Sequence, residues 1–178
     1  MRTQFTVLPK DVQLTDTTPP TLSEAACRIL NEPSPAGKIA LTNEMASLWR
    51  EGQLQEIGNT LPPARPQRPI RPELLDPHDV PKRRAKGSKG RLALIHAIAH
   101  IELNAIDLAW DIVARFTHHD LPRNFYDDWV GVAVDEARHF GLLEEYLVGH
   151  NTSYGDFSAH DGLWQAAEDT SGDLLARL

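Results

Sequence analysis

The chain has 178 residues, of which 41% are hydrophobic, and this length and composition fit one globular domain with its own core. Its formal net charge is −7, and residues 92–178 carry a net charge of −11, which argues against a general nucleic-acid-binding surface there. Cys27 is the only cysteine, which excludes an internal disulfide and a Cys-x-x-Cys metal motif.

The N-terminal segment, residues 1–60, is predicted to contain two short helices after a polar, loosely structured stretch. That stretch has no apolar run typical of a signal peptide, so we expect a cytoplasmic protein. Apolar spacing predicts helices over 21–30 and 36–51, with Thr21 or Ser23 as the N-cap of the first. We expect both helices to pack on the outside of a larger helical bundle.

Residues 61–90 are predicted to form an extended basic strap. Seven prolines lie between Leu61 and Pro81, a density that excludes a helix or a central strand. Residues 62–91 also carry a net charge of +6. Two interpretations stay open: the strap lies across the acidic bundle of the same chain, or residues 65–91 bind an anionic partner such as RNA. No aromatic residue is interleaved with the cations, which weakens the second interpretation.

Two long segments with apolar residues at helical spacing follow, in the third predicted unit, residues 91–178. The first helix is predicted to begin near Ser88 or Gly90 and to end near Phe116. The second is predicted to begin near Pro122, with Asp120 as an acidic N-cap. The short connection between them allows only an antiparallel hairpin. Because charged residues interrupt the first helix, we do not expect it to cross a membrane.

Three side chains with metal-binding groups lie within the apolar faces of this hairpin. Glu102 is fourteen residues before Phe116, and Glu136 is fourteen residues after Pro122, so both carboxylates are about 21 Å from the turn. His139 is one turn from Glu136 on the same face. A carboxylate within an apolar stripe is costly unless its charge is compensated. We therefore expect the three side chains to converge, since a Glu facing a Glu-x-x-His is half of a dinuclear carboxylate metal site.

Two further histidines on the first helix face a different direction. His96 and His100 lie about 120° and 160° from Glu102 around the helix axis, at 100° per residue. They cannot easily share a metal ion with Glu102, so we interpret them as hydrogen-bonding residues between helices.

The last predicted element is a third helix over 162–178, which follows a loop rich in turn-forming residues. Asp161 is its predicted N-cap, and Tyr154 and Phe157 are predicted to anchor the loop on the bundle. Its predicted buried face comprises Leu163, Trp164, Ala167, Leu174, Leu175 and Leu178. Because this helix ends on apolar Leu178 without a stop signal, we expect a truncated bundle, a hairpin plus a partial third helix.

The Asp-Glu-Ala-Arg-His motif at 135–139 resembles the D-E-x-R-H pattern of ferritin-like di-iron proteins. With GSKGRLALIHAIAHIELNAIDLAWD, FYDDWVGVAVDEARHF and YGDFSAHDGLW, it most resembles an uncharacterised ferritin-like family, domain of unknown function 455, over residues 72–178. The resemblance implies an all-α, four-helix ferritin-like bundle. It also implies five functional residues: the metal ligands Glu102, Glu136 and His139, and the ligand-orienting residues Asp135 and Arg138.

Carboxylate and imidazole donors without a thiolate suit iron or manganese rather than structural zinc. The resemblance implies two such ions in a complete site, and an O2-dependent di-iron or iron–manganese oxidoreductase of unknown substrate. Three alternatives stay open: a metal-storage protein, a tRNA-modifying hydroxylase on a ferritin-like bundle, and a metal-free helical interaction protein. In the last of these, the triad would be an ordinary salt-bridge cluster with Arg138.

One chain supplies only half of such a centre. A complete site uses four carboxylates and two histidines, and no second Glu-x-x-His follows His139. A symmetric homodimer would supply the full set, and so would a complementing chain, whereas a fragment would carry half a site. We also expect the apolar stripes Ile95–Val113 and Trp129–Leu147 to be incompletely covered within one chain, which favours a dimer.

Overall fold

The computed structural model describes residues 19–81 and 87–178. These residues contain six α-helices and two short β-strands, joined by loops. In chain order, the elements are α1 (Leu22–Leu30), α2 (Pro35–Arg50), β1 (Leu74–Leu75), α3 (Gly87–Arg115), α4 (Arg123–Val148), β2 (Ala159–His160), α5 (Gly162–Asp169) and α6 (Leu174–Arg177). The predicted all-α helical bundle is thus confirmed. The polar stretch expected before residue 19 and the cations of residues 82–86 lie outside the described residues.

The two longest helices, α3 and α4, pack against each other as the predicted hairpin. The predicted N-cap of α4 is wrong: the capping position is Pro122, which has extended backbone angles and makes no side-chain capping bond. Proline fixes the extended geometry immediately before the helix, which leaves Asp120 two residues too early to reach the first-turn amides. Among the described residues, α3 alone is long and apolar enough to cross a membrane by length and composition. Core helices of globular proteins often meet the same criterion.

Helices α1 and α2 share one hydrophobic core with this hairpin, because α1 packs on α3 and α2 packs on α4. Thr21 caps α1 by accepting a hydrogen bond from the Glu24 amide, and Ser34 caps α2 in the same way. The largest fully buried apolar side chains of the four helices are Trp49, Trp110, Tyr126, Phe140, Leu22, Ile29, Leu30 and Met45.

The apolar stripes of the hairpin are better covered than the sequence suggested. Val113 and Leu147 are fully buried, and both belong to the core that the hairpin forms with α1 and α2. The expected exposure of these two stripes is therefore wrong at those positions, because the N-terminal helices contribute a layer to the core. A different strip of α3 and α4, described below, stays exposed.

The proline-rich strap lies across the helices of its own chain, as the first interpretation predicted. The amide of Gln67 donates to the carbonyl of Leu30 at 2.7 Å, and Arg65 forms ion pairs with Asp161 and Glu168. Arg68 donates to the side-chain oxygen of buried Asn104 at 2.6 Å. The strap also contributes β1, which pairs in parallel with β2, an element that was not predicted.

The predicted C-terminal helix over 162–178 is wrong, because the chain breaks it into α5 and α6. Turn-forming residues interrupt it at 170–173, and Asp173 caps α6 by accepting from two backbone amides. Trp164 is buried as expected, but Leu175 is 84% exposed. Asp161 precedes α5 without a capping bond; its carboxylate pairs with Arg65 of the strap instead.

Candidate metal centre

Glu102 of α3 meets Glu136 and His139 of α4 in the groove between the two helices. One donor atom from each residue can be chosen so that all three lie within 4.8 Å of one another. His139 Nδ1 is 3.2 Å from Glu136 Oε2. All three side chains are partly buried. Their short mutual distances show that the equal spacing from the turn brings the predicted residues to one level of the hairpin.

The two carboxyl groups of this triad are electrostatically linked. Burial, a hydrogen bond to Glu136 and the charge of Glu136 raise the pKa of Glu102 to about 7. Burial would also raise the pKa of Glu136, but hydrogen bonds with Glu102 and His139 outweigh burial and lower it. The two carboxyl groups therefore share a proton below about pH 7, and a cation bound between them would take its place.

The donor set fits a hard or borderline transition-metal ion. Donor atoms on opposite sides of an ion with bonds of about 2.1 Å are about 4.2 Å apart, so small side-chain rotations would bring all three donors to one ion. Two carboxylates and one imidazole without a thiolate suit iron or manganese. Glu102, Glu136 and His139 would hold one ion, and three protein donors would leave it able to take further ligands.

The two residues expected to orient the ligands are both exposed. Arg138 Nη2 is 3.4 Å from His139 Nε2. A guanidinium only donates, so Nε2 accepts this bond and the ring proton lies on Nδ1. His139 Nδ1–H then donates to Glu136. Within the described residues, the side chain of Asp135 forms no hydrogen bond or ion pair. Arg138 likewise forms no ion pair there with Glu102 or Glu136, so the triad is not a salt-bridge cluster around Arg138.

Residues 31–178, which include the whole triad, match the family described as protein of unknown function (DUF455). The chain belongs to this family. An uncharacterized protein of Haemophilus influenzae is 44% identical over 115 residues, which are 62% of this chain and 40% of that relative. The chain therefore spans less than half of the relative's length. No solved structure matches the chain.

This DUF455 chain has a second polar stripe on α3, on the side opposite Glu102, that sequence reasoning recognised only in part. The stripe is buried and consists of His96, His100, Asn104, Asp107 and Asp111. Their spacing of three or four residues was a visible signal. Asp107 went unrecognised because its partners, Lys38 and Arg68, lie far away in the sequence. Asp111 pairs with distant Arg177 and also with Arg115, four residues along α3, a spacing that was visible in the sequence.

The two histidines of this stripe bind the loop before α5 rather than a neighbouring helix, which corrects the interhelical assignment. The Gly155 amide donates to His96 Nε2 at 2.8 Å. His100 Nδ1 lies 2.8 Å from the Tyr154 hydroxyl, and His100 Nε2 lies 3.1 Å from the His160 carbonyl. Tyr154 thus anchors the loop as predicted, and the ring of Phe157 packs edge-on against His96.

Proposed function

We propose that this DUF455 protein binds iron or manganese through Glu102, Glu136 and His139, as part of the dinuclear centre of an O2-dependent oxidoreductase with a ferritin-like arrangement. The observation that carries the proposal is the convergence of two carboxylates and one imidazole from two helices within 4.8 Å. Two ferrous ions, when bound, would supply the electrons that O2 reduction requires. The protein's own contribution is to hold the donors at one level and to release the carboxyl proton when a cation binds.

A comparison within the chain favours a cation at this place. The fully buried carboxylates Asp107 and Asp111 each have a Lys or Arg side chain within 2.6 Å. Glu102 and Glu136 lie side by side and are partly buried. Within the described residues, no Lys or Arg forms an ion pair with either carboxylate. A metal ion would supply a positive charge here, since two partly buried carboxylates side by side are unfavourable without a compensating cation.

The contacts of the strap weaken an RNA-dependent role for it. Arg65 and Arg68 are engaged with acidic or amide side chains of the same chain, so they are poorly placed to contact phosphates. No observation on the described residues favours a tRNA-modifying hydroxylase or a storage protein over the oxidoreductase.

The test is metal content in Glu136→Gln, which removes the ligand charge and keeps the side-chain size. Protein is made in medium supplemented with iron and manganese, and metal per chain is measured by mass spectrometry. We expect the bound metal to fall at least about tenfold, because loss of a charged ligand costs more than loss of a residue that only orients one.

Glu145→Gln is the matched control, because Glu145 lies on the same helix but is exposed and outside the triad. It should keep the wild-type metal content. Equal metal in the two variants, or no metal in the wild type, would overturn the proposal. Adding air to anaerobic Fe(II)-loaded protein should change its near-ultraviolet absorbance in the wild type and in Glu145→Gln, but not in Glu136→Gln.

A further inference from the structure

A strip of exposed apolar side chains flanks the triad on both helices. On α3, Leu94 and Ile101 are 40% and 49% exposed, and they lie seven residues apart. On α4, Val132 and Tyr146 are 37% and 44% exposed, and each lies seven residues from His139. Seven-residue spacing keeps side chains on the side of a helix that meets another helix. We call these four residues and the triad the open face.

Helical geometry places the open face on one side of the hairpin. At 100° per residue, Ile101 lies about 100° from Glu102, and Val132 and His139 lie about 40° and 60° from Glu136, all in the same rotational direction. Because an antiparallel pair of helices is related by an approximate twofold axis, equal rotations on both helices point to the same side. Helices α1 and α2 leave this side uncovered, so its natural partner is another pair of helices.

The donor count of the open face identifies that partner. A dinuclear carboxylate site in a helical bundle uses a Glu from each of two helices and a Glu-x-x-His from each of two others. One open face presents one Glu and one Glu-x-x-His. Two open faces related by a twofold axis present the complete set, with the apolar strips packed around it.

We propose that a second copy of this chain packs its open face on the first, and that the two triads together hold two metal ions. This inference rests on the proposed function and names the partner of that site. The four carboxylates would carry four negative charges when ionised, and two divalent cations would supply four positive charges. The contact is isologous, since each residue meets the same surface of the other copy.

The same charges make the association metal-dependent. Without metal, the carboxylates of two open faces repel each other, and exposed Asp128 and Asp135 on α4 add to this repulsion. We therefore expect a metal-free monomer and a metal-loaded dimer.

The experiment measures mass by light scattering and bound Mn(II) by equilibrium dialysis, on metal-free protein with and without Mn(II). The expected result is a monomer without Mn(II), and a dimer with two Mn(II) ions when it is added. Full Mn(II) binding by a protein that stays monomeric would overturn the dimer and leave the proposed function intact. No Mn(II) binding at all would overturn both.

Substitutions on the open face separate the contact from the ligands. Ile101→Glu and Tyr146→Glu each place a charge on the open face without changing a donor, and Tyr146 is about 10 Å from His139 along α4. Both variants should stay monomeric and bind Mn(II) at least about tenfold more weakly. Leu175→Glu, at an exposed apolar position on α6, should behave as the wild type. Wild-type dimerisation and affinity in both open-face variants would overturn the inference.

Discussion

At the scale of single residues, the buried charge of Asp107 is compensated from distant parts of the sequence. Asp107 on α3 is fully buried, with the Lys38 amine at 2.6 Å and an Arg68 nitrogen at 3.9 Å. Burial raises the pKa of Asp107 and lowers the pKa of Lys38, in spite of the pairing. Such a pair adds little net stability. Replacing only one of its two residues is strongly destabilising, because the charge of the other is then left buried without a partner.

Replacing Lys38 with Met should therefore destabilise the fold strongly. We expect a loss of about 3–5 kcal/mol in the free energy of unfolding, measured by urea denaturation. Arg68 is too far from Asp107 to replace the amine. The double variant Lys38→Met/Asp107→Leu should recover most of the loss, since neither charge remains. A loss below about 1 kcal/mol in the single variant would contradict this description of the pair.

His100 gives the fold a pH dependence in the mildly acidic range. Burial lowers its pKa from 6.5 to about 4, so the native state disfavours the protonated ring. The free energy of unfolding is then unaffected above pH 6.5 and falls as the pH drops towards 4, because the unfolded chain binds the proton more readily. Between pH 7.5 and 5, this one group should cost about 2 kcal/mol.

His100→Gln tests this directly by urea denaturation at the two pH values. The variant should lose stability at pH 7.5, because the bonds to Tyr154 and the His160 carbonyl are altered. Its further loss on going to pH 5 should be about 2 kcal/mol smaller than that of the wild type. An identical pH dependence in both proteins would show that His100 is not the titrating group.

At the scale of secondary-structure elements, the strap is held by contacts of unequal strength. Arg65 forms its ion pairs at the surface, where solvent screens them, and such pairs contribute about 0–1 kcal/mol. Arg68 is largely buried and meets both Asn104 and Asp107. Pro62, Pro66 and Pro72 are buried as well, so much of the strap's attachment does not depend on salt.

Arg68→Ala should loosen the strap, and Arg65→Ala should hardly affect it. Limited proteolysis between residues 62 and 75, followed by mass spectrometry, measures the difference. We expect cleavage to be several times faster in Arg68→Ala, because the variant leaves the buried amide oxygen of Asn104 without the donor that Arg68 supplies. Equal cleavage rates in both variants would indicate that the prolines alone hold the strap.

The elements also differ in how far the sequence could predict them. The strong apolar period of α3 and α4 located both helices to within a few residues. The equal distance of Glu102 and Glu136 from the connection between the helices located the triad. The break between α5 and α6 was missed because apolar Leu174 and Leu175 continue the helical pattern across the turn. Pairing of two-residue strands leaves no periodic signal. Lys38 pairs with Asp107, and Arg177 with Asp111, across tens of residues of sequence, which local spacing does not reveal.

At the scale of the whole molecule, one hydrophobic core connects the N-terminal helices to the hairpin. Ile29 of α1, Met45 of α2, Ile106 of α3 and Phe140 of α4 all belong to it and are fully buried. Because no layer of the core is complete without the others, we expect the described residues to unfold together.

Ile29→Ala should weaken all four core helices at once. Truncating a buried isoleucine costs about 2–5 kcal/mol, and the loss should be shared by every element of the core. Native-state hydrogen exchange should show slowly exchanging amides around Phe140 losing protection by the same free energy as those of α1. Loss of protection confined to the first 60 residues would instead indicate a separate N-terminal unit.

The equal distance of Glu102 and Glu136 from the connection between α3 and α4 has an evolutionary consequence. One residue inserted between Arg123 and Glu136 would rotate Glu136 by about 100° relative to the start of α4 and turn its carboxylate away from α3. An insertion within the connection, residues 116–122, would change neither helical arm. Length differences among relatives should therefore occur in the connection and not in the helical segments between it and the two glutamates. The pattern of insertions and deletions should thus identify the part of the hairpin that selection for the site keeps constant in length.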